Sequence, residues 1–398
     1  MPGFELFGSA ERKEVNEVLE TGVLMRYGFD GMRNGNWKAK ELEEELKKTL
    51  KSKYAQLVSS GTAAVTVALA SSGVGAGDEV IMPTFTFVAS FEAILMLGAI
   101  PVLVDIDDTL GLDPEAVEAA ITPKTKAVMV VQMCGSMGQM NELGKICDRN
   151  NLLLVEDACQ AIGGSYNGKP LGSIGDLGCF SFDFVKTVTC GEGGAVITNN
   201  KNFYLNADHY SDHGHDHVGN DRGAETHPFL GYNFRISELH AAVGLAQIKR
   251  LDEFIAIQKK NYTILRDKLS KISEVSFRRV PEGGEESYAF LNFFLPDLET
   301  AKKVMDSFKD NGIDGCFHYY DNNWHYIRKW KHLKELISLH KQSDEVKAGL
   351  SQLKNKEFPK SDHYIGRNIS CLIKLGWTEE EVIKRSETMA KLIKENLV

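Results

Sequence analysis

The feature that most constrains the fold is an alternation, between Leu42 and Asn200, of short apolar runs with amphipathic, helix-like segments. Runs at Tyr54–Ser59, Glu79–Met82, Pro101–Val104, Ala127–Gln132 and Leu152–Glu156 read as strands. Segments opening at Gly61-Thr62 and covering Val88–Leu97, Asp113–Ala120 and Asn141–Arg149 read as the helices between them. Strands separated by helices of roughly ten residues are βαβ units, so an α/β fold is expected, with a mostly parallel sheet flanked by helices. Gly178–Phe184 and Gly194–Thr198, joined across a glycine-rich turn, predict an antiparallel or edge addition to it. A polar stretch, Asp208–Asn233, is too long for an idle loop. Helices are expected over Ile236–Leu251 and Phe254–Leu269. Two β-like runs, Val275–Phe277 and Phe290–Leu295, then mix with helices at Ala301–Asn311 and Glu379–Asn396. The pattern predicts a large domain over 1–254 and a smaller C-terminal α+β domain over 255–398.

A net charge of −9 argues against general affinity for nucleic acid or membrane surfaces, which needs a basic footprint. The seven cysteines are odd in number and lack C-x-x-C spacing, which speaks against a disulfide framework or structural zinc. The first residues lack the pattern of a signal peptide, and no apolar stretch reaches the ~18 residues of a membrane span. A cytoplasmic, soluble protein is expected.

Three signals carry chemistry. Ser59-Ser60-Gly61-Thr62-Ala63-Ala64 stands at a strand-to-helix junction, where the free N–H groups of a helix start make an anion site. Asp157 ends the apolar run Leu152–Val155, and in open α/β sheets ligands sit outside the carboxyl ends of strands. Lys186 lies among apolar residues, between a β-run and the turn Gly191-Glu192-Gly193-Gly194. Burial disfavours the charged form of an amine, and a neutral amine is what Schiff-base chemistry needs. Singly, each has an ordinary explanation: a helix cap, a second cap, a surface lysine. In this order they are what pyridoxal 5′-phosphate (PLP) requires, namely a phosphate cradle, a carboxylate for the ring nitrogen and a lysine for its aldehyde.

With these motifs the chain resembles the DegT/DnrJ/EryC1/StrS family of sugar aminotransferases, within the fold-type-I PLP enzymes. The resemblance implies that Ser60, Gly61, Thr62 and Ala63 form the phosphate turn, with Ser181 as a further contact. It implies that Phe87 stacks on the cofactor ring, with Phe85 in the core. Asp157 resembles the partner of the ring nitrogen, Gln160 the residue near the phenolic oxygen, and Lys186 the lysine that binds the cofactor. Glu192 is expected as a polar contact beside it. Asn233, in Gly231-Tyr232-Asn233-Phe234-Arg235, matches an asparagine that reaches the neighbouring subunit's phosphate, implying a homodimer with shared active sites. Relatives that dehydrate sugars carry histidine where Lys186 stands, so transamination is the implied reaction.

Three stretches depart from the usual nucleotide-sugar members: Val130–Met137, Ser211–Gly223 and Gly315–Tyr326, together with Arg26–Asn34 near the N-terminus. They resemble members that aminate 8-oxo-3,8-dideoxy-manno-octulosonate with L-glutamate in lipopolysaccharide synthesis. An acidic sugar and an acidic donor both need cations, and Arg26, Arg33, Arg222, His215 and His217 are the expected substrate-binding residues. Aminotransferases for 4-keto or 3-keto nucleotide sugars are the alternative. From another class, the histidines and aspartates of the 208–217 region could form a metal hydrolase, with His213, His215 and His217 on one side of an extended segment. That reading leaves Lys186, Asp157 and the glycine turns unexplained, so no metal is expected.

Overall fold

The computed structural model describes residues 3–219, 221–339 and 341–397. Its centre is a seven-stranded sheet: β1 (Tyr54–Val58), β2 (Glu79–Pro83), β3 (Ile100–Val104), β4 (Thr125–Val131), β5 (Leu153–Asp157), β6 (Leu177–Ser181) and β7 (Gly194–Thr198). Their order across the sheet is β1-β7-β6-β5-β4-β2-β3. The pairs β2–β3, β2–β4, β4–β5 and β5–β6 are parallel, while β7 runs antiparallel to both its neighbours. The antiparallel addition expected after β6 therefore exists, but it is not an edge. It fills the slot between β6 and β1, and its buried residues Gly194–Thr198 fit a strand covered on both faces.

Helices cover both faces. Gly61–Ser71, apolar nearly all round, packs on one face with Val88–Met96. On the other lie Met140–Asn150, Glu238–Ile248 and Lys38–Thr49. Two N-terminal helices, Ser9–Thr21 and Lys38–Thr49, had no counterpart in the sequence reading, because their charged faces obscure a short apolar stripe. Ala241, Ala242, Gly244 and Ala246 are buried as their small size suggested.

The C-terminal part holds an antiparallel sheet in the order Ser276–Phe277, Phe290–Phe294, Asn368–Leu372, Cys316–Phe317. Its core is closed by helices Leu251–Leu269, Leu298–Asp310 and Glu379–Glu395. Position 255 is not a break. Helix Leu251–Leu269 runs through it, and Tyr326, Trp330, Val346 and Leu350 return to the core of the large sheet. Trp330 is wholly buried, edge-on to Phe91 at 6.0 Å between ring centres. Among the described residues no helix is long and apolar enough to cross a membrane.

Candidate active site

A cavity of about 560 Å³ lies at the carboxyl ends of β1, β5 and β6, where ligands of open α/β sheets are expected. Phe290 and Leu372 of the small sheet close its far side.

Ser60, Gly61 and Thr62 line the cavity at the start of helix Gly61–Ser71. Ser60 Oγ caps the helix by accepting from Ala63 N–H at 3.0 Å, so Ala63 belongs to the turn without lining the cavity. The N–H groups of Gly61 and Thr62 sit in the first turn, where the helix offers no acceptor. A Cβ on Gly61 would lie 2.6 Å from Ser181 Cβ, so only glycine allows this turn to close on Ser181. One on Gly194 would lie 2.3 Å from Ser60 O, and its absence lets β7 enter beside the turn. A helix start pressed against a serine hydroxyl is a fitting donor set for a phosphate.

Asp157, at the last position of β5, points into the cavity and its neighbour Glu156 points away, as strand alternation requires. Ser90 Oγ donates to Asp157 Oδ2 at 2.6 Å and Cys159 N–H to Oδ1 at 3.2 Å, which fixes the carboxylate. Glu156 is wholly buried and accepts from the N–H groups of Gly172, Ile174 and Gly175 and from Gln132, a structural tie. Gln160 lines the cavity, and its Oε1 accepts from Cys134 N–H at 2.9 Å, leaving its NH₂ as donor.

Lys186 is half-buried on the loop between β6 and β7 and lines the same cavity, as do Ser181 and Glu192. The loop is held from outside, because Gly3 N–H donates to Lys186 O at 2.9 Å and Phe4 stacks on Phe184 at 4.2 Å. Phe87 is a wall of the cavity, whereas Phe85 is buried in the core.

The stretch Gly315–Tyr326, unusual in sequence, borders the same cavity. Phe317, Tyr319, Asn322, Trp324 and His325 all line the cavity. Thr86 N–H donates to His325 O at 3.0 Å and Val88 N–H to Trp324 O at 2.9 Å, stitching this stretch to the segment bearing Phe87. The His325 ring lies 5.4 Å from that of Phe87, and burial and then the charge of Lys186 push its pKa down to about 4. It is a neutral imidazole at neutral pH. No local sequence signal joins residues this far apart; only the fold does.

The expected substrate cations are placed elsewhere. Arg26 is buried, with Nη2 on Glu43 at 2.6 and 2.7 Å. Arg33 is buried too, donating to Gly28 O and Met25 O, with Glu238 at 3.4 Å. A buried guanidinium needs an acid, and these two have theirs inside the helix layer. Arg222 grips Asp212 with both Nη atoms, at 2.8 and 3.2 Å. Arg235 donates to the same carboxylate, and His217 bridges Asp208 and Asp212 at 2.8 and 2.9 Å. His215 Nδ1 lies 2.8 Å from a Glu225 oxygen. None of Arg26, Arg33, Arg222, His215 and His217 lines the cavity of its own chain.

Nor is the histidine segment extended, for His213, Gly214 and His217 all have left-handed φ angles. Among the described residues no group of three or more such side chains is arranged to hold a metal ion. Asn233 is exposed; it lies beside the phosphate turn, where Ser59 N–H donates to Phe234 O, but outside the cavity. The cap of the next helix is Ser237, not Asn233.

Comparison with known proteins agrees with this geometry. The profile of the DegT/DnrJ/EryC1/StrS aminotransferases matches residues 7–366. The chain is 36% identical to a 3-amino-5-hydroxybenzoate synthase of Amycolatopsis mediterranei over 320 residues, 78% of this chain and 79% of the relative. It is 34% identical to a GDP-perosamine synthase of Vibrio cholerae over 328 residues, 82% of this chain and 85% of the relative. A crystal structure of 3-amino-5-hydroxybenzoic acid synthase superposes with a TM-score of 0.82 at 30% identity, covering 98% of this chain and 97% of that one. The chain belongs to the DegT/DnrJ/EryC1/StrS aminotransferase family and is a PLP-dependent aminotransferase of the sugar-aminating kind.

Proposed function

We propose that this enzyme transfers the amino group of L-glutamate to the aldehyde of 8-oxo-3,8-dideoxy-manno-octulosonate, giving the 8-amino sugar acid used in lipopolysaccharide synthesis. The observation that carries this choice is where the unusual stretches fall. Val130–Met137 and Gly315–Tyr326, which set the chain apart from nucleotide-sugar members, border the cavity through Gln132, Met133, Phe317, Asn322 and Trp324. Aromatic faces and amides of this kind suit the faces and hydroxyls of a free sugar. A nucleotide-linked keto sugar is the second reading, favoured by the similarity to a GDP-perosamine synthase across 82% of the chain.

PLP in this cavity would supply an aldehyde that condenses with amines and a ring that holds the electron pair left when a proton departs. The Gly61–Thr62 turn and Ser181 would hold its phosphate, and Phe87 would cover one face of the ring. Asp157, ordered by Ser90, would keep the ring nitrogen protonated, and Gln160 would donate to the phenolic oxygen. Lys186 Nζ would take the proton from the glutamate Cα and pass it to the carbon that was the cofactor's aldehyde, water then supplying the keto oxygen of 2-oxoglutarate while the nitrogen stays behind; the sugar half-reaction would run the same transfers in reverse. Among the described residues the cavity's own lining holds no arginine, so we assign the partner of the substrate carboxylate to a second copy of the chain, which would also bring Asn233.

The PLP-loaded enzyme should form 2-oxoglutarate from L-glutamate when 8-oxo-3,8-dideoxy-manno-octulosonate is present. Turnover with a 4-keto nucleotide sugar and none with the octulosonate would overturn the substrate assignment.

A further inference from the structure

The seven cysteines are free, and five of them take no part in the chemistry described above. Burial pushes Cys147 up to about 12 and raises Cys134, Cys159, Cys179 and Cys190 as well. Cys316 and Cys371 differ. They stand directly opposite each other on neighbouring antiparallel strands of the small sheet. Leu372 N–H donates to Gly315 O at 2.8 Å, so 315 and 372 are a hydrogen-bonded pair. The next pair along, Cys316 and Cys371, is then non-hydrogen-bonded, the kind whose Cα atoms lie about 4.5 Å apart with side chains on one face. That separation falls inside the range that a disulfide spans, about 4.4–6.8 Å.

A cation stands over the two sulfurs. Arg385, on helix Glu379–Glu395, places Nη2 3.8 Å from Cys316 Sγ while Nη1 holds Asp314 at 3.1 Å. Its Nε is buried without a hydrogen-bond partner among the described residues. The hydrogen bond from Cys316 and then, against burial, the charge of Arg385 bring the Cys371 thiol down to about 7. Cys371 is fully buried and Cys316 partly exposed, so a small solute meets the pair at Cys316. Neighbouring Phe317 and Leu372 face the opposite side of the sheet and line the cofactor cavity, which puts the thiols directly behind its wall.

We propose that Cys316 and Cys371 are an oxidisable dithiol that a peroxide closes to a cross-strand disulfide. The Cys371 thiolate, which accepts the hydrogen bond of the Cys316 thiol, attacks one oxygen of a hydrogen peroxide that enters beside Cys316; the O–O bond breaks, and the departing hydroxide takes a proton to become water. The resulting sulfenic acid is attacked by the Cys316 sulfur, which forms the S–S bond and expels a second water. Two thiols are oxidised by two electrons and one peroxide is reduced to two waters. Thiol reductants reverse the closure, as for the transient, redox-sensing disulfides of reducing compartments.

The test is peptide mapping of the PLP-loaded, full-length enzyme after brief hydrogen peroxide treatment at neutral pH, digested without reductant. A peptide pair linked through Cys316 and Cys371, released by dithiothreitol, is expected, with Cys147, Cys179 and Cys190 still alkylatable. In Cys316→Ser, Cys371 should instead be trapped as the sulfenic acid by dimedone. Both cysteines remaining alkylatable after peroxide, or a linkage between other cysteines, overturns the proposal.

Discussion

His217 shows how a residue chosen for one role can have another. The histidines of the 211–217 segment were expected near the substrate because their type suits carboxylates and metals, and composition is all that a local reading sees. The fold instead stacks His217 on Tyr27 at 4.0 Å and sets it between Asp208 and Asp212. Burial works against its charge, but the hydrogen bonds the ring donates to those carboxylates outweigh it and push the ring from 6.5 up to about 9. A folded pKa above the unfolded one stabilises the charged form. The contribution is therefore complete below about pH 6.5 and lost as pH rises through about 9. The melting temperature of His217→Asn should lie below that of wild type by an amount that is constant in acid and shrinks towards pH 9.5; a gap that does not change with pH would contradict this. By contrast Gly61, Asp157 and Lys186 were legible, because each stands at a strand end or turn whose geometry is local.

At the scale of elements, the helix layer over β1 depends on buried ion pairs rather than on apolar packing alone. Glu43 accepts Arg26 at 2.6 Å and also Leu57 N–H at 3.1 Å, tying helix Lys38–Thr49 to β1. Removing one partner of a buried pair leaves an uncompensated charge, a cost of about 3–5 kcal/mol. Glu43→Gln should lower stability to chemical denaturation by roughly that amount. If Arg26 has no substrate role, the KM values of the variant will stay within about twofold of wild type. A large rise in KM at unchanged stability would restore Arg26 to the site. The strands and long helices of the α/β part were legible from apolar periodicity, which is set within ten residues. The position of β7 was not, since its second neighbour is β1, more than a hundred residues earlier, and periodicity carries no information on who pairs with whom.

At the scale of the whole molecule, the cavity gathers residues from Ser60 to Leu372, and sequence order gives no hint that Phe87 and His325 share a wall. The proposed shared site also sets a requirement on assembly. If Asn233 serves the neighbouring copy, subunit exchange between Lys186→Ala and Asn233→Ala enzymes creates hybrids with one intact site of two. Activity should then recover to about a quarter of wild type in an equal mixture, whereas self-contained sites give no recovery. In the proposed function this cavity holds PLP on Lys186 and exchanges it with an amino donor. Borohydride reduction of the PLP-loaded enzyme, followed by peptide mapping, tests it most directly. The pyridoxyl group should be found on the peptide bearing Lys186, and prior L-glutamate should abolish the labelling. A label on a different lysine, or one unaffected by the donor, would contradict the account.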